Sequence, residues 1–246
     1  MADRPASEAF LASASIDDAV FALRPDYRSM LLVVTGIVPG PSDAETDALL
    51  VTAEAAAGAA LADQPVDQLP HVAAWRDAYR AFGAKPQRTR NSLEALLRRA
   101  GSGLPRVNRL TDVYNAVSVL HQIPLGGEDL TRYAGGPRLI RAAGHETFDT
   151  TAGGDVVIEH PEPGEVVWCD DAGVTCRRWN WRQARRTQLN DATTAALFIL
   201  DALDPVTDVA LSAATDDLVV HLSRLGSDVR ADRRLMSRGA GQGAGN

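Results

Sequence analysis

Apolar residues recur along this chain with two periods, and the change from one to the other divides it. Arg28 to Val38 is an almost unbroken run of Leu, Val and Ile closed by Pro39-Gly40-Pro41, which predicts a buried strand. Ser42 with Glu45 three residues on is an N-cap pattern, so residues 43–62 are predicted as a long alanine-rich helix. Val72, Trp75, Tyr79 and Phe82 follow at spacings of three, four and three, one stripe of a helix over 71–82 that Gly83 ends. Asn91-Ser92 opens another helix through Leu93, Leu96 and Leu97, and Gly101-Ser102-Gly103 stops it. Leu110, Val113, Val117 and Leu120 give the same amphipathic spacing over 108–120.

Beyond Pro124 the segments shorten, and 138–142, 156–159, 166–170 and 174–179 read as strands. Residues 193–203 and 216–225 are predicted as helices. Residues 1–14 have no clear period and are expected to fray, Ile16 to Leu23 reads as a short helix capped by Ser15, and 226–246 is expected as a flexible tail. The pattern predicts an α+β fold, a mixed β-sheet core flanked by helices, in one domain over residues 15–225 without internal repeats.

Composition adds limits. With 246 residues, 45% of them hydrophobic, the chain can bury a sizeable core. Its longest apolar run is far short of the roughly 20 residues that span a bilayer, and its first residues lack the order of a secretory signal. A cytoplasmic protein with no membrane partner is expected. Cys169 and Cys176 flank Asp170-Asp171-Ala172-Gly173, read as a hairpin turn that sets Cys169 opposite Val174 and Cys176 opposite Val167, so free thiols are expected.

The net charge of −7 argues against indiscriminate polyanion binding and against DNA as a partner. The charge is unevenly spread, however: residues 1–70 carry three arginines against eleven carboxylates, whereas 71–141 carry twelve basic residues against five acidic ones. Nearly all the cations are arginines, which suit bidentate phosphate contact, and Arg88, Arg90, Arg98, Arg99, Arg177, Arg178, Arg185 and Arg186 are the candidate contacts. Trp179 and Trp181 would lie on one side of a strand, where they either pack or stack on a terminal base. The five histidines fall at no zinc spacing, and no Walker A run, nucleophile elbow or dinucleotide-binding glycine pattern occurs, so neither metal nor cofactor is expected.

The most informative run is LPRVNRLTDVYNAVSVLHQIPLGGEDL, residues 104–130. It sets Asn108, Asp112, Asn115 and Ser118 at spacings of four, three and three along one helical face, an arrangement suited either to holding an amino-acid or ribose group or to capping and packing. This run resembles the B3/B4 domain of the phenylalanyl-tRNA synthetase β-subunit, in which a segment close to Val-Asp-Val-Thr-Asn is followed nine residues later by Pro-Met-His-Ala-Phe-Asp. Here Thr111-Asp112-Val113-Tyr114-Asn115 precedes Pro124. Residues 75–100 and 164–187 are similar to the form of this domain that stands as a separate protein, so the resemblance covers roughly 15–225.

The resemblance implies a B3/B4-type fold and hydrolysis, in trans, of the ester joining a wrong amino acid to the acceptor end of tRNA. Two departures stand out: Gly126 occupies the place of the family's pocket histidine, and a later family glutamate falls near Arg185. An activated ester needs mainly oriented water and a stabilised oxyanion. Candidates are therefore Asn115 and Ser118 to hold substrate, the Gly126 and Gly127 amides as oxyanion donors, and His121 or Thr187 to place water. Asn108, Asp112, Glu128 and Arg182 complete the candidate substrate contacts, although Glu128-Asp129 after two glycines also reads as a helix start. A non-catalytic module that binds tRNA or an amino acid, or a sensor of free amino acids, is the alternative.

Overall fold

A computed structural model describes residues 4–239. Its elements in chain order are α1 (Arg4–Ser13), β1 (Ser15–Ile16), α2 (Asp18–Leu23), β2 (Arg28–Thr35), α3 (Ala44–Ala60), α4 (Pro70–Ala81), α5 (Ser92–Ala100), α6 (Arg109–His121) and β3 (Leu125–Asp129). There follow β4 (Arg138–Arg141), β5 (Phe148–Ala152), β6 (Asp155–Glu159), β7 (Val166–Asp170), β8 (Gly173–Arg177), β9 (Arg182–Gln183), β10 (Ala195–Ala202), α7 (Asp208–Ser223) and β11 (Arg230–Ser237). The fold is α+β. An antiparallel sheet in the order β11-β2-β10-β3 lies beside a mixed one in the order β1-β4-β7-β8-β9, with β5 and β6 as a separate hairpin. No helix among the described residues is long and apolar enough to cross a membrane.

The predicted helix at 193–203 is the strand β10. All eight of its residues are buried, and they alternate between two cores. Ala196, Phe198 and Leu200 pack with Val113, Val117, Leu211 and Leu218 of α6 and α7. Leu197 and Ile199 face the other way, against Trp75 of α4 and against Trp168 and Trp179 beyond it. A strand covered on both faces loses its period of two and becomes a plain apolar run, which periodicity alone does not separate from a buried helix.

Parts of the two segments expected to fray form regular elements. Residues 4–13 form α1, and residues 230–237 of the expected tail form β11, paired along its length with β2. The two hold each other: the Arg234 guanidinium donates to the carbonyls of Leu11, Ala12 and Ala14 at 2.6, 3.0 and 3.1 Å, a cation on the negative end of a helix. The rest of the expected tail, from residue 240, lies outside the described residues, as do residues 1–3.

The predicted caps are mostly as expected. Asn91 and Asn108 accept from the amides of Glu94 and Thr111, and α3 opens one residue later than expected, on Asp43 with Thr46. Ser15 and Ile16 form β1 instead of opening a helix, and α2 follows Asp17. The thiols are free and buried, and Cys169 faces Val174, but a bulge after Trp168 sets Cys176 opposite Trp168.

His71 ties α4 to the sheet. Its Nε2 accepts from Trp75 Nε1–H at 3.1 Å and from the Leu203 amide at 3.0 Å, so its proton sits on Nδ1 and is donated to the Gln122 carbonyl at 2.8 Å. Burial pushes its pKa down to about 4. An unfolded histidine titrates near 6.5, so as pH falls from 6.5 towards 4 the unfolded chain takes a proton that the folded one refuses, and about 3 kcal/mol of stability is lost across that window. In an NMR titration the His71 ring should stay neutral, with the proton on Nδ1, from pH 8 down to 5. A midpoint near 6.5 would refute this.

Candidate active site

The α6 face is built as the sequence places it, but three of its four polar residues serve the frame. Asn108 caps the helix, Asp112 accepts from the Val107 amide at 2.8 Å and from the Ser42 hydroxyl, and Ser118 Oγ donates to the Ile123 carbonyl at 2.7 Å. Asn115 instead lines a cavity of about 260 Å³ between α5, α6, β3, β10 and the turn after β8. Leu96, Leu125, Trp168, Trp179 and Ile199 give it apolar walls. Glu128, Asn180, Gln183 and Asp201 supply its polar groups.

The turn after β8 needs unusual backbone. Arg178 and Trp179 have φ of 49° and 67°, left-handed conformations that side chains with a Cβ rarely adopt and that cost on the order of 1–3 kcal/mol each. This reversal seats the Trp179 ring in the core against Tyr27 and Trp75, at centroid distances of 4.9 and 5.2 Å, and turns Asn180 into the cavity wall. The two tryptophans are therefore not neighbours on one strand face: Trp179 is fully buried, while Trp181 is half-buried under the guanidiniums of Arg178 and Arg182, 4.5 and 4.8 Å away.

Two buried carboxyls define the electrostatics. Asp201 accepts from the Tyr27 hydroxyl at 2.6 Å and from Asn180 Nδ2 at 3.2 Å, while Asn180 Oδ1 accepts from the Tyr79 hydroxyl at 3.0 Å. Glu128 accepts from the Tyr133 hydroxyl. Desolvation outweighs these bonds and pushes both carboxyls up to about 7. Two acids poised at neutrality in one apolar cavity, with three side-chain amides beside them, can exchange protons and bond a polar substrate. Asp201, Asn180 and Gln183 are absent from the sequence-based candidates. The available signal was the single aspartate in the otherwise apolar AALFILDA, since a carboxylate in a core needs a stated reason.

The sequence pattern of the B3/4 domain matches residues 74–218, more than half of the chain and a span that holds every residue of this cavity. The chain belongs to the B3/4 domain family. No curated protein sequence matches it. Among solved structures it is similar to an N-terminal fragment of the phenylalanyl-tRNA synthetase β-subunit from Pyrococcus horikoshii, with 10% identity and a TM-score of 0.44 over 89% of this chain. The chain spans 50% of the length of that fragment.

Other expected site residues of this B3/4 domain lie elsewhere. His121 Nε2 is bonded to Asp217 of α7 at 2.9 Å and does not line the cavity. Thr187 is fully buried in a short 3-10 turn, its hydroxyl without a partner among the described residues, and is also outside the cavity. The Gly126 and Gly127 amides do not act as a pair. The bond from the Asp201 amide to the Pro124 carbonyl fixes the phase of the β3–β10 ladder, so Gly126 and Glu128 bond to β10 and Gly127 points away. Asp129 is the helix-start residue, accepting from Thr131 at the head of a 3-10 turn.

The arginines divide in the same way. Arg177 is buried, with Nε and Nη2 on the Glu165 carboxylate at 2.9 and 2.8 Å and Nη1 on Glu159 at 2.8 Å, so it has nothing to offer a phosphate. Arg182 is on Glu159 at 2.7 Å, Arg186 grips Asp170 with both terminal nitrogens, and Arg178 bonds Thr89. Arg88, Arg90, Arg98 and Arg99 are exposed. Of these, Arg98 and, at 3.8 Å, Arg90 lean on the buried Glu94, which also holds Arg76. No group of three or more His, Cys, Asp or Glu among the described residues could hold a metal ion.

Proposed function

We propose that this B3/4 domain edits mischarged aminoacyl-tRNA in trans, hydrolysing the ester at the acceptor end within the Asn115–Glu128–Asp201 cavity. The observation that carries the reading is Glu128: a carboxyl with a pKa of about 7, lining an apolar cavity beside Asn115 in the run that resembles the synthetase editing domain. Ionised Glu128 takes a proton from water as the water oxygen bonds to the ester carbon. It returns the proton to the ribose oxygen as the ester C–O bond breaks, leaving a free amino acid and a ribose hydroxyl. The amides of Asn115 and Gln183 are the side-chain donors for the developing oxyanion, in place of paired glycine amides. Asp201 is the counter-charge for the substrate's α-ammonium. Exposed Arg88 and Arg99, neither of them paired with a carboxylate among the described residues, are the phosphate contacts, Arg99 also donating to the Gly103 carbonyl at 3.3 Å.

The test is deacylation of a panel of correctly and incorrectly charged tRNAs by the protein and by Asn115→Ala. Turnover of a restricted set, reduced at least tenfold in the variant, is the expected result. The binding-module reading has one observation in its favour, Gly126 where the resembled pattern has a histidine. Binding of charged tRNA without turnover of any pair would establish it instead.

A further inference from the structure

A second cavity, of about 480 Å³, lies outside the site just described, between the β5–β6 hairpin and the 3-10 turn Arg185–Thr187. Three guanidiniums line it, those of Arg132, Arg185 and Arg186, against one carboxylate, Asp149, in a chain whose net charge is −7. The carboxylates beside the arginines act as struts. Asp170 grips Arg186 at 2.8 and 2.9 Å, and Asp149 faces Arg185 Nε at 3.4 Å while accepting from the Arg186 amide at 3.2 Å. Arg186 also donates to the Arg132 carbonyl at 2.6 Å, which joins the two residues through the backbone.

Arg132 itself is exposed, and its guanidinium bonds no acceptor among the described residues. An arginine set at the rim of a cavity beside two pinned ones offers a fork of donors with nothing in it. Asn190 adds a neutral donor: the Ala192 amide occupies its Oδ1 at 2.8 Å, so the Nδ2 hydrogens remain for a ligand. Ile158, 56% exposed, lines the same cavity with Ala172 and Val174, so an organic group can lie against it while its anion meets the arginines. Arg132 and Arg185, whose terminal nitrogens bond no acceptor among the described residues, together suit the doubly charged phosphate better than a single carboxylate, while Arg186 is held by Asp170.

We infer that this cavity binds the phosphate of a phosphate ester, with Arg132 as its principal contact. It adjoins the Glu128 cavity through the backbone bridge between Glu128 and Gln188, whose side chain lines the phosphate cavity. The inference does not rest on the editing reading, because it is tested without any ester turnover. Inorganic phosphate, AMP and a short RNA hairpin ending in CCA are titrated calorimetrically into the protein at low salt, and into Arg132→Gln, whose lost guanidinium takes no internal bond.

Phosphate and AMP should bind, with affinity falling as salt rises, and the substitution should raise the Kd of AMP about tenfold, as loss of one charged hydrogen bond would. AMP binding as tightly as the RNA identifies a free nucleotide as the ligand, whereas RNA at least tenfold tighter, and weakened by the same substitution, identifies an RNA end. No heat with any of the three, or affinities unchanged in Arg132→Gln, overturns the inference. A protein that deacylates tRNA yet binds no phosphate at Arg132 would leave the editing reading standing while this one falls.

Discussion

Replacing Glu128 by Gln should lower deacylation kcat/KM by at least about 100-fold, the contribution expected of a general base, while leaving the fold intact. The side chain keeps its shape and an oxygen for the Tyr133 hydroxyl, but can no longer take a proton from water. In the unaltered protein kcat/KM should rise with pH through about 7 as Glu128 ionises, and the variant should lack that limb.

A stability measurement separates this role from a structural one. Glu128 has a folded pKa raised from 4.5 to about 7, so it is stabilising below 4.5, where both states hold the proton. As pH rises from 4.5 to 7 the unfolded chain releases the proton first, and about 3 kcal/mol is lost. Glu128→Gln carries no such proton and should be more stable than the unaltered protein at pH 8, as read from urea denaturation. Equal or lower stability at pH 8, together with unchanged turnover, would remove Glu128 from the chemistry.

Arg177→Ala should behave in the opposite way, destabilising the protein by about 3–5 kcal/mol without weakening phosphate or RNA binding per folded molecule. Arg177 is the central cation of a buried network. Its removal leaves Glu165, 3% exposed, with the backbone amides of Arg178 and Glu162 at 3.2 and 3.4 Å and the Arg178 side chain at 3.5 Å, and with no close guanidinium fork. Removing one partner of a buried pair strands the other charge in low dielectric, which is why the loss exceeds the value of the bond itself. Urea denaturation checks the stability and a salt titration of RNA binding checks the contact count. A stability loss under 1 kcal/mol, or a shallower salt slope, would return Arg177 to the surface contacts. Arg98→Ala, exposed and half-screened, should cost less than about 1 kcal/mol.

The sequence by itself determined the helices α4, α5 and α6, the asparagine caps of α5 and α6, the strand β2 and the free cysteines. Each depends on residues within about four positions, where spacing and capping chemistry are written directly into the order of side chains. It also located Asn115 and Glu128 in the run that resembles the B3/B4 domain, and the structure brings these two to one cavity. Tertiary structure decided the rest. Residues 195–202 are a strand because two cores, assembled from distant helices and a second sheet, cover both of its faces and erase its period.

Asp201 lines the cavity as a buried acid held by the hydroxyl of Tyr27, 174 residues away. His121 does not line it, and its ring is bonded instead to Asp217 of α7, 96 residues on. Arginines that look alike in the sequence become a buried strut at Arg177 and a donor with no bonded acceptor at Arg132. The difference is that Glu159 of β6 and Glu165, just before β7, are brought to Arg177 and no carboxylate among the described residues is brought to Arg132; the protonation of a buried acid is likewise set by what surrounds it in space rather than by its neighbours along the chain.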